Sequence, residues 1–334
     1  MTNVVVVDDA PVQRAYIARI LRTDGDIAVV GQADTARQAI DVVASLRPDV
    51  VVLDLQIPGG GQHAIEQIMA FTPTPILVLS AGVDGRESLD AVEALVAGAV
   101  DVLPQPHPGD TPAENLLRQR VRTLRGVTVL RHPRGSRTSA PEARRPAGAS
   151  TGIPVVAIAA STGGPAALSL VLSGLTGLRA PVLVIQHLHP DFVDGFVTWM
   201  ARDAALPVEL ARDGAVVKPG VIYIAPAGTH LKLAADRRIV LDPEPETLHR
   251  PSANALFHSL AEHGGPVIGV VLTGMGDDGA TGLLALRRRG AVTIVQDEET
   301  SAVFGMPQAA LQQGAAARVV PLGRIAATIL GAAQ

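Results

Sequence analysis

The strongest constraint on the fold is a regular alternation of short apolar runs with longer amphipathic segments. Residues 1 to about 125 contain five such pairs. In the first pair, the apolar run is residues 4–7 and the amphipathic segment is residues 11–22. Short runs rich in Val and Ile are typical of buried strands, and apolar spacings of three and four are typical of helices. A second series occupies residues 153–334. Because strands that alternate with helices form parallel sheets covered on both faces, we predict an α/β protein with two doubly wound parallel-sheet domains.

Composition narrows the class of protein further. The chain has 334 residues, is 47% hydrophobic and contains no cysteine, which excludes disulfides, a thiol nucleophile and cysteine-ligated zinc. A net charge of −4 gives no sign of a nucleic-acid-binding surface. No apolar run is long enough to cross a membrane, and the opening MTNVVVVDD predicts a strand and not a signal peptide. We therefore expect a cytoplasmic protein that neither inserts into membranes nor binds nucleic acid. We also expect it to be a monomer.

A segment rich in arginine and proline separates the two series. Residues 126–152 have no apolar periodicity, which favours a solvated tether, although a basic docking segment is the alternative. The predicted domains are therefore residues 1–125 and 153–334, joined by a linker over 126–152. The arginines of the linker, and the prolines that interrupt regular secondary structure there, are Arg131, Arg134, Arg137, Arg144, Arg145, Pro133, Pro141 and Pro146.

Polar residues follow the strands of the first predicted sheet. Asp8 and Asp9 end the first strand, Asp54 ends the third, Ser80 ends the fourth, and Gln105 follows the fifth. Ligands of parallel sheets bind at the carboxyl ends of the strands. Taken singly, these aspartates could cap helices or occupy turns. Three carboxylates at one edge repel each other unless a cation joins them, and oxygen ligands suit Mg²⁺.

With these residues, positions 1 to about 125 resemble the receiver domain of response regulators. The resemblance implies that Asp8, Asp9 and Asp54 bind Mg²⁺. It also implies that Asp54 accepts a phosphoryl group from a partner histidine kinase, and that Ser80 is the switch hydroxyl.

Two departures from the receiver pattern bear on regulation. Gln105 stands where the family has a lysine, and Gly60-Gly61-Gln62 stands where the family tends to have Met-Asp-Gly. Loss of the lysine removes a cation that would pair with the phosphoryl group. We therefore expect phosphorylation of Asp54 to be coupled only weakly to the output of the second domain.

The second series contains a glycine-rich turn between a strand and a helix. Ser161 follows the run at 155–159, Gly163 and Gly164 come next, and Pro165 occupies a position favoured at the start of helices. This turn suits an exposed serine nucleophile and equally a phosphate-binding loop in which the serine caps the helix. The strict nucleophile-elbow pattern fails, because Ala159 stands at its first glycine.

Candidate partners for a serine nucleophile leave two other strands of the same series. His187 and His189 follow the run at 181–185, and Asp277 and Asp278 follow the run at 267–272. A nucleophile needs a base, and the base needs an orienting group. We favour His187 because it is nearer its strand end. The spacing alone leaves open the choice between Asp277 and Asp278, and a phosphate-binding or helix-entry loop remains the alternative for the glycine-rich segment.

Residues 153 to about 325 resemble the catalytic domain of the chemotaxis protein-glutamate methylesterases. The matching segments are Ala160-Ser161-Thr162-Gly163-Gly164, Gln186-His187, Tyr223-Ile224-Ala225-Pro226, His249-Arg250-Pro251-Ser252, Leu272-Thr273-Gly274-Met275-Gly276-Asp277-Asp278-Gly279 and Val303-Phe304-Gly305-Met306-Pro307. The resemblance implies a triad of Ser161, His187 and Asp278. It also implies an oxyanion hole formed by the amide of Met275 and by the Ser161 turn at Thr162.

The resemblance implies hydrolysis of glutamate γ-methyl esters, and deamidation of glutamines, on methyl-accepting chemoreceptors. The receiver domain would regulate this activity, and the esterase chemistry would need no cofactor. The sequence leaves two alternatives, a general serine esterase and a phospho-signalling module whose catalysis is vestigial.

Overall fold

The chain divides into two compact units, Met1–Gly135 and Ser136–Gln334. The computed structural model describes residues 1–81, 85–127, 129, 153–245, 247, 249–263 and 265–334, with only the backbone of 85–87. Most of the predicted linker, including its arginines, lies outside the described residues, so its boundaries stay a prediction. Among the described residues, none of the helices combines the length and apolar character needed to cross a bilayer.

The first unit is a five-stranded sheet in the order β2-β1-β3-β4-β5, with every pair of neighbouring strands parallel. The central strands β3 and β4 are buried along their whole length, as expected for a sheet covered on both faces. This order brings the ends of β1 and β3 side by side. The elements are β1 (Thr2–Val7), α1 (Pro11–Arg22), β2 (Ile27–Ala33), α2 (Ala36–Leu46), β3 (Val50–Asp54), α3 (Gly61–Phe71), β4 (Ile76–Ser80), α4 (Gly85–Ala97), β5 (Asp101–Pro104) and α5 (Thr111–Leu124).

The second unit is a seven-stranded sheet in the order β14-β13-β12-β6-β7-β9-β8, again with parallel neighbours. Strand β6 lies at the centre, with β12 on one side and β7 on the other. The elements are β6 (Val155–Ala160), α6 (Gly164–Ser173), β7 (Val182–Gln186), α7 (Val193–Asp203), β8 (Val208–Leu210), β9 (Ile222–Ile224), β10 (His230–Leu233), β11 (Ile239–Asp242), α8 (Ala253–His263), β12 (Val267–Val271), α9 (Ala280–Arg288), β13 (Val292–Gln296), α10 (Met306–Gln312), β14 (Arg318–Val320) and α11 (Leu322–Ala332).

The predicted fold class, two parallel-sheet α/β domains, is confirmed, and the structure adds short elements that periodicity did not indicate. Edge strands β8 and β14 have three residues each, too few to establish a pattern. The antiparallel hairpin of β10 and β11 carries the ion pair of Lys232 with Asp242, at 2.7 Å. A charged pair in four-residue strands obscures their apolar alternation.

Helices α8 and α9 pack closely because Gly282 has no side chain. A Cβ at Gly282 would lie 2.6 Å from Phe257 Cβ and 3.0 Å from the Asn254 carbonyl oxygen. The Gly282 amide donates to Asn254 Oδ1 at 2.9 Å, and Phe257 is fully buried. This contact sets the loop before α9 against the first turn of α8.

We expect Gly282→Ala to destabilise the second unit by about 1–3 kcal/mol, because the added methyl forces α8 and α9 apart. Urea unfolding followed through Trp199, the single tryptophan of the chain, reports on this unit. Gly331→Ala is the control, since no atom lies within 4 Å of its Cβ position, and it should be neutral or stabilise by up to about 1 kcal/mol. Equal stability of Gly282→Ala and the parent would contradict this account of the packing.

Candidate active site

Ser161 lies directly after the central strand β6. Its amide donates to the Thr273 carbonyl at 3.0 Å, and its own carbonyl accepts from Gly164 at 2.8 Å. Gly163 has a φ of 74°, a left-handed conformation that glycine adopts without strain, and it turns the chain into α6. Ser161 is only 6% exposed. The predicted strand-to-helix turn is therefore present, with the serine held from both sides.

His187 occupies the corresponding position on the neighbouring strand. Ala160 pairs with Gln186 in the parallel register of β6 and β7, and the His187 amide donates to the Ala160 carbonyl at 3.0 Å. Since neighbouring strands lie about 4.8 Å apart, Ser161 and His187 leave the sheet side by side. The side chain of His187 is 8% exposed, so the imidazole is largely shielded from water.

Asp278 lies against the first turn of α8 and accepts four hydrogen bonds. Its Oδ2 lies 2.9 Å from His187 Nε2 and accepts from the Ala253 amide at 2.7 Å. Its Oδ1 accepts from Ser252 Oγ at 2.8 Å and from the Asn254 amide at 3.0 Å. Burial would raise the pKa of Asp278, but the hydrogen bond and charge of His187 and the two amides hold that pKa well below its usual range. Asp278 is therefore a buried carboxylate that remains ionised.

An ionised Asp278 constrains the tautomer of His187. A carboxylate can only accept, so His187 Nε2 is the donor to Asp278, and in the neutral imidazole Nδ1 is the nitrogen without a proton. Nδ1 is buried and has no hydrogen-bond partner among the described residues, so the hydroxyl of Ser161 does not donate to it here. In enzymes without substrate such bonds are often long and tighten only in the reacting complex. Of the two bonds that a triad requires, the structure forms the one between histidine and aspartate.

Two amides beside Ser161 are available to a ligand. Among the described residues, the N–H groups of Thr162 and Met275 have no backbone partner. The loop that carries Met275 is fixed at Gly274, whose carbonyl accepts from Gly305 at 3.0 Å and Met306 at 2.8 Å. A Cβ at Gly274 would lie 2.7 Å from Ser161 Cβ, so only glycine lets this loop approach the serine turn. Backbone N–H donors without a backbone partner beside a serine suit a developing oxyanion.

Two buried polar side chains join the loops of the site, and periodicity did not single them out. Gln186 Nε2 donates to the carbonyls of Ser161 and His187, both at 2.9 Å. Thr273 Oγ1 donates to the Thr162 carbonyl at 3.0 Å and accepts from the Val303 amide at 2.9 Å. In the sequence, both residues belong to segments that match the methylesterase family. That match does not indicate which atoms either side chain contacts.

The competing candidates lie in different surroundings. Asp277 is exposed, and its carbonyl accepts the Ala280 amide. His189 Nδ1 lies 3.2 Å from Asp191 Oδ2, away from the contacts of Asp278. Geometry therefore favours His187 over His189, and Asp278 over Asp277.

The three predicted acidic residues of the first unit cluster at its sheet edge. Oxygens of Asp8, Asp9 and Asp54 all lie within 4.8 Å of one another. Burial, with repulsion from Asp8 and Asp9 as a further cause, raises the pKa of Asp54 to about 6 despite the Gln56 amide hydrogen bond. Burial also raises the pKa of Asp8, against the opposing hydrogen bond from the Ala10 amide. Such a cluster favours a bound cation, which would offset the repulsion.

Ser80 and Gln105 lie at the same edge. Ser80 is buried, and its carbonyl accepts from the Gln105 amide at 2.9 Å. Gln105 Nε2 donates to Asp8 Oδ2 at 3.2 Å. The side chain at the position of the family's lysine is thus a neutral donor already bonded to one of the carboxylates.

Comparison with known protein families matches both units. The family model for CheB methylesterase matches residues 156–329, and the model for the response regulator receiver domain matches residues 4–114. The crystal structure of the Thermotoga maritima CheB methylesterase catalytic domain is 34% identical, with a TM-score of 0.52. It covers 54% of this chain and 98% of its own.

Curated relatives match over nearly the full length. A protein-glutamate methylesterase/protein-glutamine glutaminase of Anaeromyxobacter dehalogenans is 41% identical over 98% of this chain and 97% of its own. One from Myxococcus xanthus is 40% identical over 99% and 97%. Since this identity extends across both units, the chain belongs to the protein-glutamate methylesterase/protein-glutamine glutaminase family, with a response regulator receiver domain preceding the methylesterase domain.

Proposed function

We propose that this protein hydrolyses glutamate γ-methyl esters on methyl-accepting chemoreceptors, releasing methanol, and deamidates receptor glutamines by the same acyl chemistry. The observation that carries the proposal is the buried pair of His187 Nε2 and Asp278 Oδ2, at 2.9 Å, beside the Ser161 turn. It leaves a base nitrogen free on the side of the imidazole not bonded to Asp278.

The reaction follows from this arrangement. Ser161 Oγ attacks the ester carbonyl while its proton passes to His187 Nδ1, and Asp278 stabilises the imidazolium. The amides of Thr162 and Met275 receive the oxyanion. The imidazolium then protonates the departing methoxide to give methanol. A water molecule, deprotonated by Nδ1, cleaves the acyl-enzyme and leaves a glutamate carboxylate and free Ser161.

We expect Ser161→Ala and His187→Ala to abolish methanol release from methylated receptor membranes while the fold remains intact. The effects on rate of substituting residues that act as one catalytic unit are not additive. The double variant should therefore lose little more activity than either single variant. The measurement is methanol release by the purified chain, with circular dichroism as the check on folding. If Ser161→Ala released methanol at nearly the parent rate, Ser161 would not be the nucleophile. Hydrolysis of small esters without release from receptors would favour a general esterase.

The two neighbouring aspartates provide a matched pair. Asp278→Asn should lower kcat by a factor on the order of 10⁴, as expected when the group that orients a catalytic histidine loses its charge. Asp277→Asn removes the same charge one residue away on an exposed side chain and should change kcat by less than about threefold, as is usual for surface substitutions. The reverse ranking in a steady-state assay would transfer the orienting role to Asp277.

We further propose that Asp8, Asp9 and Asp54 bind Mg²⁺ and that Asp54 accepts a phosphoryl group from a histidine kinase. Mg²⁺ would neutralise the crowded carboxylates and the incoming phosphoryl oxygens. Ser80 would contact the phosphoryl group as the switch hydroxyl. The clustering of the three carboxylates and the raised pKa of Asp54 support this proposal.

Gln105 should limit the response to phosphorylation. Charge-assisted hydrogen bonds are about twice as strong as neutral ones, so Gln105→Lys should increase activation by a phosphodonor at least about threefold. The measurement is the esterase rate with and without acetyl phosphate, for the parent and for Gln105→Lys. Asp54→Ala in each background is the control and should abolish activation. Strong activation of the parent, unchanged by Gln105→Lys, would contradict the prediction.

A further inference from the structure

The ring of His249 lies flat against the ring of His187. The two ring centroids are 4.2 Å apart and the planes differ by 8°, which is a parallel stack. His249 precedes α8 and is 62 positions from His187 in sequence, so this contact depends on the tertiary fold. None of the triad chemistry described above uses His249.

His187 needs such a contact because its own hydrogen bonds do not fix its plane. Its ring has a single partner, Asp278 Oδ2 at Nε2, and Nδ1 has none among the described residues. One hydrogen bond leaves the ring free to rock about the Nε2···Oδ2 direction. That motion would carry Nδ1 away from Ser161, and misplacement by about 1 Å costs on the order of 10²-fold in rate. A flat partner against one face of the ring opposes this motion.

The segment that carries His249 is itself fixed. Thr247 Oγ1 donates to the His249 carbonyl at 2.7 Å, and the Gly228 amide donates to the Arg250 carbonyl at 3.2 Å. The Ser252 amide donates to Nδ1 of the fully buried His230 at 3.1 Å. These contacts hold the main chain at His249 and on its C-terminal side independently of His187.

We propose that His249 is a positioning residue, which fixes the ring plane of His187 so that Nδ1 faces Ser161. The same segment continues into Ser252, whose hydroxyl donates to Asp278. One stretch of chain thus orients the base through a stack and the acid through a hydrogen bond. The inference rests on the proposed roles of Ser161 and His187, but not on the identity of the ester.

The test compares His249→Ala, His249→Phe and His249→Gln in the full chain. The probe is a fluorophosphonate, whose reaction with Ser161 requires an activated hydroxyl and no receptor substrate. Phe keeps the flat ring and loses the nitrogens, while Gln keeps polar atoms and loses the ring. His189→Ala is the control, because it removes a ring at the same strand end that pairs with Asp191 instead. Urea unfolding establishes that each variant is folded.

We expect His249→Ala and His249→Gln to slow labelling of Ser161 at least tenfold, and His249→Phe to stay within about threefold of the parent. With methylated receptors, kcat should fall in the same order while KM is unchanged, as for loss of an orientation needed in the transition state. Three results would overturn the inference: labelling by His249→Ala at the parent rate, equal loss in His249→Phe and His249→Ala, or a change confined to KM.

The outcomes separate this inference from the proposed function. If labelling of Ser161 is rapid and depends on the His249 ring, but no methanol is released from receptors, the positioning role of His249 is supported and the receptor methyl ester is not the substrate. Methanol release that is unaffected by His249→Ala would retain the function and reject the inference.

Discussion

The catalytic unit is organised around a buried carboxylate that must stay charged. Asp278 is largely removed from water, and its four hydrogen bonds offset much of the cost of burying its charge. Two of those bonds come from the first amides of α8, where the helix dipole also favours a negative charge. The position of α8, set by its close contact with α9 at Gly282, therefore determines where Asp278 lies. Through Asp278 it also determines which nitrogen of His187 is free.

The parallel sheet supplies the rest of the geometry. Strands β7, β6 and β12 are consecutive, so the segments carrying His187, Ser161 and Asp278 leave the same edge. Main-chain hydrogen bonds then join these loops, from Ser161 to Thr273 and from His187 to Ala160. The receiver unit uses the same architecture differently. There the strand ends gather three carboxylates, and their mutual repulsion favours a bound cation.

Much of this could be predicted from the sequence, because strand ends are visible in it. The alternation of apolar runs predicted two parallel sheets, and the residues after those runs predicted the two clusters. The sequence could not choose between Asp277 and Asp278 by spacing, since the choice depends on which one meets the first turn of α8. It also gave no sign that Nε2 of His187 bonds the acid, or that His249 stacks on that ring. These contacts join positions more than 20 residues apart, and local pattern carries no information about them.

The proposed triad depends most directly on which nitrogen of His187 carries the proton, and nitrogen NMR can measure this in the full chain labelled with ¹⁵N-histidine. Nine histidines are present, and His187→Gln identifies the resonances of His187. At neutral to mildly alkaline pH, the account predicts a proton on Nε2, hydrogen-bonded to Asp278, and an unprotonated Nδ1. A neutral His187 with its proton on Nδ1, or loss of the Nε2 hydrogen bond while Asp278 is ionised, would contradict it.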